Sequence, residues 1–268
     1  MPESNSSKRR LAAAVQFSLV LNSDAIFDIL DEDPLVDREV QHMERTGIIT
    51  LFPFGGRHGC AKELHNLAVK GINLFTVFKI LRAVAIGRAN LEFTKCPEHY
   101  RPGFLTAKML HEFAVNPENE MSESFIEEAL SKGDECYGVC DGDRLASYGW
   151  YSFRPTRIDP PDLQLRFNHE YVYMYKGFTH VRYRGQRLHA IGMTLALQHY
   201  LDRGYSGLVS YVESNNFNSL KSVARMGYEE FGSIYLMRTF GRYLTHASRG
   251  CESFGFAVEE MSLEPGGL

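Results

Sequence analysis

The chain has 268 residues, of which 44% are hydrophobic, enough for the core of one large domain or of one domain with a smaller appendage. The formal net charge of −4 removes any global electrostatic basis for binding nucleic acid. No apolar run approaches the roughly 18–20 residues that span a bilayer. The five cysteines are scattered and odd in number, which predicts reduced thiols in a cytoplasmic protein.

Two short features resemble functional motifs, but simpler interpretations fit them better. Cys136 and Cys140 are the only close cysteine pair, and no second Cys or His pair lies at ligand spacing. We therefore expect no metal site, and we expect both thiols to pack in a strand as small apolar groups. Near the N-terminus, basic residues precede an apolar run that Gln16 and Ser18 interrupt, so we expect no secretion signal.

Residues 1–74 are predicted to form a mainly helical extension of unknown role, and residues 75–268 a separate domain. In the extension, Gly47 and Gly71 each end a stretch of helical character. The Gly55-Gly56 pair lacks the Lys-Ser/Thr residues and the strand–helix context of a phosphate loop, so it predicts a plain turn.

The first half of the second domain alternates between strand and helix patterns. Residues 72–86 are rich in β-branched and aromatic side chains and predict a strand. Apolar positions at helical spacing predict a helix within residues 102–116, and a second helix over 122–133 has a serine cap and Gly133 as its stop. The Asp141-Gly142 pair predicts the turn of a hairpin.

The second half continues the alternation after a proline-containing loop, Pro155 to Pro161. Strands are predicted at 170–181 and 206–214, with an amphipathic helix at 188–203 between them. A short helix over 216–227 precedes a further strand or hairpin. This order predicts an α/β (α+β) fold, a mixed sheet with helices packed against it and a right-handed parallel crossover between residues 171 and 213.

One stretch of this half, FTHVRYRGQRLHAIG (residues 178–192), gathers five cationic or titratable side chains around one glycine in a slightly acidic chain. It follows a predicted strand and opens a predicted helix, whose unpaired N–H groups favour phosphate. Gly185 lets the backbone approach a ligand closely, and the arginines can add charge-assisted hydrogen bonds. The context predicts a local pyrophosphate site, although such a cluster is more often a solvated turn.

A second motif lies one helix and one strand further along. The sequence NFNSLKSVARMGY begins at Asn216 and reaches Gly227-Tyr228. Arg182-x-x-Gly185-x-Arg187 resembles the acyl-CoA pyrophosphate loop of the GNAT superfamily of N-acetyltransferases, whose pattern is Gln/Arg-x-x-Gly-x-Gly/Ala. The stretch from Asn216 resembles that superfamily's other signature, Asn-x-x-Ala/Ser followed by a helix ending in Gly-Phe/Tyr. The resemblance covers about residues 75–244.

The resemblance implies a GNAT-like mixed central sheet with splayed parallel strands and helices on both faces. It implies transfer of an acetyl or other acyl group from acyl-CoA to an amine by direct attack, with no metal. A backbone N–H near Phe178 or Thr179 would polarise the thioester carbonyl. The residues that would contact the coenzyme are Phe178, Thr179, Val181, Arg182, Arg184, Gly185, Gln186, Arg187, Leu188, His189, Asn216 and Ser219.

The chain departs from the family pattern in ways that bear on cofactor binding and catalysis. Arg187 replaces the second loop glycine, and His189 stands where a small residue is common. The tyrosine that often protonates the departing thiolate corresponds to Val223. Either Ser219 or Ser222 relays the proton through water, or thiolate departure needs no dedicated acid.

The catalytic residues are the least determined part of the prediction. Glu213, at the end of the strand beside the site, is the first candidate for general base, and a solvated strand-end carboxylate is an equal alternative. Tyr175, with Tyr173, is expected to line the acceptor pocket, although strand tyrosines are often packing residues. Lys176, unusual in an apolar strand, meets either an acceptor carboxylate or solvent.

Several functions remain open at this point. The acceptor is a small-molecule or a protein amine, and a homodimer is compatible with the pattern. A longer acyl group from coenzyme A or from an acyl carrier protein is an alternative donor. A catalytically inactive acyl-CoA sensor is another alternative, because the usual tyrosine is missing. A nucleic-acid module is disfavoured by the charge.

Overall fold

The computed structural model describes residues 78–160, 162–239 and 242–261. The predicted extension, the predicted domain boundary and Cys60 lie outside these ranges. The strands are β1 Phe78–Ile86, β2 Tyr100–Phe104, β3 Glu135–Asp141, β4 Arg144–Ser152, β5 Thr156–Ile158, β6 Leu163–Arg166, β7 Tyr171–Thr179, β8 Gly207–Glu213, β9 Glu229–Thr239, β10 Arg242–Ala247 and β11 Ala257–Glu260. The helices are α1 Ala107–Ala114, α2 Glu123–Lys132, α3 Leu188–Asp202 and α4 Phe217–Met226.

An eight-stranded sheet forms the centre of the described residues, in the order β10-β9-β1-β8-β7-β4-β3-β2. Its β7–β8 pair is parallel, and its other neighbouring strands pair antiparallel. A smaller sheet has the order β11-β6-β5. The large mixed sheet confirms the predicted fold class.

The two faces of the large sheet are covered differently. On one face, α3 and α4 pack against it through residues such as Leu188, Leu197 and Val223. On the other face, α1 and α2 cover β3 and β4 through residues such as Leu110 and Ile126. The small sheet covers β1, β8 and β9 on that second face. Helices on both faces were predicted, and the structure has them.

Local sequence signals set the helix ends as predicted. The Ser122 hydroxyl accepts the Phe125 N–H at 3.3 Å and begins α2, and Gly133 ends it at φ +84°. Asn216 begins α4 in the same way, and Gly227 ends it at φ +97°. The hairpin β3–β4 turns at the predicted glycine.

Two expectations were wrong in detail, and strand pairing explains both. Residues 100–104 form edge strand β2 against β3, so α1 begins only at Ala107, after the Thr106 cap. The segment Pro155 to Pro161 was predicted as a loop, but Thr156–Ile158 pairs with β6. The partner of β2 lies more than thirty residues further along the chain, so this pairing leaves no local pattern, whereas β5 and β6 form a local hairpin.

The prediction that Cys136 and Cys140 pack in a strand as small apolar groups is confirmed. Cys136 and Cys140 are buried free thiols in β3. Burial raises the pKa of both thiols, which keeps them protonated and unreactive. Within the described residues, no three His, Cys, Asp or Glu side chains gather as they would around a metal ion. No helix in this part of the chain is long and apolar enough to cross a membrane.

Candidate functional site

The central feature is a fork between the two parallel strands. Strands β7 and β8 pair only between Tyr171–Tyr173 and Gly207–Val209. Beyond these residues β7 continues to Thr179 and β8 to Glu213, and no strand pairing joins them in the described structure. Each strand keeps its other neighbour, β4 or β1. The fork therefore leaves two backbone edges facing a gap inside the sheet, where an extended ligand could hydrogen-bond.

Two local features mark the point where the strands separate. Ser210 is buried, and its hydroxyl donates a hydrogen bond to the Met174 carbonyl at 2.7 Å. In the β4–β7 pairing, Trp150 faces Lys176 and the next residue of β4 faces Met174, so Tyr175 is an extra residue. Such a bulge bends a strand and increases its twist. The bulge accounts for the turn of β7 away from β8.

The loop after β7 leads into an open helix N-terminus. A short 3-10 turn at Val181–Tyr183 is followed by Gly185 at φ +83° and Arg187 at φ +62°, and α3 begins at Leu188. No side-chain hydrogen bond from Arg187 caps α3. The first-turn N–H groups of α3 are therefore free of the usual cap, and they carry the positive end of the helix dipole.

Gly185 has open space where a side chain would begin. A Cβ built on this residue meets no atom within 4 Å, so its positive φ, and not crowding, is what requires glycine. A side chain added there would fill the position that the sequence analysis assigns to a pyrophosphate.

The cations of the loop differ in their partners. His180 Nε2 lies 3.1 Å from a Glu118 carboxylate oxygen, and Arg187 pairs with Glu92. Arg182 and Arg184 are exposed and form no ion pair among the described residues. These two guanidiniums are the charges that remain for an anionic ligand.

His189 differs from the expectation that it adds charge to the loop, because its ring points inward. A Cβ built on Gly177 of β7 would lie only 2.5 Å from His189 Cε1. Burial lowers the pKa of His189, although a hydrogen bond with the Tyr148 backbone opposes the shift. The ring is therefore neutral near pH 7. What His189 can offer an anion is its backbone N–H at the start of α3.

The start of α4 lies directly after β8. Asn216 Oδ1 accepts the Ser219 N–H at 3.1 Å, so the predicted contact residue is also the helix cap. Val223 is buried in the core beneath α4. The position that carries a tyrosine in the family pattern therefore packs against the core here and has no hydroxyl.

The face opposite α3 carries the candidate catalytic groups. Glu213 is 40% exposed, and its Oε1 lies 2.9 Å from Lys79 Nζ, which also pairs with Asp159. The Tyr175 hydroxyl donates to Asp134 Oδ2 at 2.9 Å. Burial, reinforced by the Asp134 carboxylate, raises the pKa of Tyr175 far above its usual range. This hydroxyl therefore stays protonated, and its geometry suits lining the site better than accepting a proton.

Sequence reasoning missed several groups around the fork. Lys79, Asp134 and Ser210 lie in strands or at strand ends, and each acquires its role from a partner on another strand. A charged residue in the apolar strand FKILRAVAI was a local signal for Lys79. The serine and the aspartate gave none, because their partners are set by strand register.

Two surface cavities of about 500 and 320 Å³ lie away from the fork, between α1 and the β3–β4 turn. The smaller one reaches His180, Arg182 and Tyr183. The loop after β7 therefore borders both this cavity and the gap. The gap itself is an open cleft between strand edges.

No family model matches the sequence, and no curated protein matches it. Solved structures do resemble the chain. One is a transcriptional regulator from Bacillus halodurans C-125 (15% identity, TM-score 0.36, 49% of this chain and 93% of that one). Another is a GCN5-related N-acetyltransferase-like protein from Streptococcus suis 89/1591 (14%, 0.42, 68% and 67%). A third is a GNAT-family acetyltransferase from Colwellia psychrerythraea (16%, 0.40, 68% and 62%). The structures that resemble this chain thus include acetyltransferases of the superfamily whose motifs its sequence resembles, and this likeness concerns the fold.

The left-handed conformation of Arg187 gives a first prediction. Replacing it by glycine or by alanine removes the pair with Glu92 in both cases, but only glycine adopts this φ without strain. We expect Arg187→Gly to be more stable than Arg187→Ala by about 1 kcal/mol in chemical denaturation. Equal stabilities would show that the loop relaxes out of this conformation at no cost.

The contact between Gly177 and His189 gives a second prediction. Gly177→Ala forces a methyl group against the His189 ring, and we expect it to destabilise the fold by about 1–3 kcal/mol. In a His189→Ala background the same change should cost much less, because the obstructing ring is gone. Thermal or urea denaturation of the four proteins measures this coupling. An equal cost in both backgrounds would contradict the described packing.

Proposed function

We propose that this chain is an N-acyltransferase of the GNAT superfamily that transfers an acetyl or other acyl group from coenzyme A to a primary amine. The observation that carries the proposal is the fork. Two unpaired strand edges lead directly to a helix N-terminus without a side-chain cap, and the two arginines beside it form no ion pair with the described residues. This combination suits a ligand with an amide-containing arm and a diphosphate at one end.

The residues that would hold acyl-CoA follow from this arrangement. The pantetheine amides would hydrogen-bond to the β7 edge and its extension, at Phe178, Thr179 and Val181. The open N–H groups at the start of α3 and the side chains of Arg182 and Arg184 would hold the diphosphate. The remaining contacts would come from Gly185, Gln186, Arg187, Leu188, His189, Asn216 and Ser219.

The reaction requires removal of a proton from the acceptor ammonium, stabilisation of the oxyanion, and departure of the thiolate. The amine nitrogen forms a bond to the thioester carbonyl carbon, and the carbon–sulfur bond breaks. Glu213 would accept the proton that the acceptor ammonium loses when it becomes the attacking amine, directly or through water, because Glu213 lies on β8 at the gap and is partly exposed. A backbone N–H near Phe178 would stabilise the oxyanion.

The departing thiolate needs little help from an acid. A thiol has a pKa of about 8.5, so the thiolate is a competent leaving group near neutral pH. Val223, which has no group that could act as an acid, is consistent with departure of an unprotonated thiolate. If a proton relay operates, Ser219 or Ser222 would supply it through water.

A catalytically inactive acyl-CoA sensor is the second candidate function. The observation in its favour is the same buried Val223, which removes the usual acid. Steady-state release of the coenzyme A thiol in the presence of amines separates the two functions. Turnover supports the enzyme, and binding without turnover supports the sensor.

Ligand-dependent stabilisation tests the binding site itself. Acetyl-CoA, longer acyl-CoA species and free coenzyme A should each raise the melting temperature, because a ligand at 100 times its Kd stabilises the native state by about 2.7 kcal/mol. Gly185→Glu should abolish this increase in melting temperature, because the added side chain would occupy the proposed diphosphate position and add negative charge.

The chain offers a matched control for that variant. Gly133 has nearly the same backbone conformation, φ +84° against +83° for Gly185, and equally open surroundings. Gly133→Glu should keep the full ligand-induced shift. If folded Gly185→Glu protein responds like the wild type, the diphosphate site lies elsewhere.

A further inference from the structure

Lys176 is the one charged residue on β7, the strand that forms one edge of the gap. It follows the bulge at Tyr175 and faces Trp150 across the β4–β7 pairing. Trp150 belongs to the core under α1 and α2, so Lys176 projects from the face opposite α3. This is also the face of Glu213, whose cross-strand partner Leu81 packs under the small sheet.

Lys176 and Glu213 both lie beyond the last residues at which the strands pair, Tyr173 and Val209, and Lys176 is the nearer of the two to the fork. Because Tyr175 is an extra residue, Lys176 is two register positions past Tyr173, whereas Glu213 is four positions past Val209. At about 3.3 Å per residue, the two lie roughly 7 and 13 Å along their strands from the fork. The gap thus has a carboxylate on β8 and an ammonium on β7, both on the face opposite α3.

No carboxylate of the described residues lies within ion-pair distance of Lys176, although the Glu120 carboxylate is near enough to oppose the lowering of its pKa by burial. Its Nζ donates to the Glu120 carbonyl at 2.7 Å and lies 4.4 Å from the centre of the Phe125 ring. An ammonium has three N–H donors, so two remain for another partner. Lys176 forms no ion pair among the described residues. Burial lowers its pKa, a cost that a bound anion would offset.

Two other lysines near this face of the sheet differ from Lys176, because both form ion pairs. Lys79 pairs with Glu213 and Asp159, and Lys132 pairs with Asp134. Each has its own carboxylate within the protein. Lys176 has no such ion pair among the described residues, yet it is half-buried against an aromatic ring beside the gap. A surface lysine that only reached into solvent would not need this setting.

We propose that the acceptor is a small primary amine that carries a carboxylate, such as a free amino acid, and that Lys176 binds this carboxylate while the amine points towards Glu213. This inference rests on the proposed acyltransferase function. The reaction would convert an amino acid and acyl-CoA into an N-acyl amino acid and the free coenzyme A thiol, and the ammonium would release one proton to solvent through Glu213.

Matched acceptor pairs test the proposal. Thiol release is measured with glycine and methylamine, L-alanine and ethylamine, and L-phenylalanine and phenethylamine. The wild type should have a higher kcat/KM for the acid of at least one pair. Lys176→Met, which keeps the length of the side chain, should raise the KM for that acid at least tenfold. The KM values for acyl-CoA and for the matched amine should change less than twofold, and Lys176→Arg should retain most of the preference.

A control and three outcomes complete the experiment. Lys108→Met changes an exposed lysine of α1, 86% accessible, and should leave every constant unchanged. The inference is overturned if the wild type prefers the amine in every pair, acts only on peptide N-termini, or loses acid and amine activity equally in folded Lys176→Met. Thermal stabilisation by acyl-CoA without turnover of any amine would favour the sensor and also overturn the inference. Absence of both turnover and stabilisation would overturn the proposed function itself.

Discussion

The arrangement of this protein depends on a parallel strand pair that stops early. Strands β7 and β8 share three residue pairs and then separate, although both continue. Backbone groups inside a sheet normally pair with a neighbouring strand, because an unpaired polar group is costly when it is buried. The gap keeps these groups accessible, and Gly177 is exposed even though it lies within β7. The protein thereby holds a row of hydrogen-bonding groups ready for a ligand.

The fork is held in place by contacts on both sides of it. At its closed end, the buried Ser210 hydroxyl satisfies the Met174 carbonyl that would otherwise lose its strand partner. On the α3 face of the sheet, the His189 ring packs against Gly177 of β7. On the other side, the Tyr148 hydroxyl and Lys176 both bond to the Glu120 carbonyl and fix the segment between α1 and α2 to the sheet. A rigid gap of this kind pre-organises a binding site and lowers the entropic cost of binding.

Electrostatics in this protein is local, and most charges near the fork are already matched. Carboxylates neutralise Lys79, Lys132 and Arg187, and Glu118 lies against His180. Arg182, Arg184 and Lys176 form no ion pair with the described residues, and they stand at two different places: the arginines at the loop and the lysine beside the gap. The separation suits two anionic groups, a diphosphate at one end and a carboxylate at the other. An acidic chain can bind both anionic groups, because salt largely screens charges that lie farther away than a Debye length of about 10 Å. The nearby cations therefore outweigh the net charge of the chain.

The sequence by itself determined the local elements, since caps, turns and periodicity act over a few residues. It located α2 and α4 with their caps, the β3–β4 hairpin, and the loop at Gly185 with its strand before and helix after. Only the tertiary structure decided what depends on register between distant segments. Strand β1 enters the middle of the sheet between β8 and β9, and Tyr175 bulges out of β7. The same register put Lys176 and Glu213 on one face of the sheet beside the gap, because residues more than thirty positions apart become neighbours only when the sheet brings their strands together.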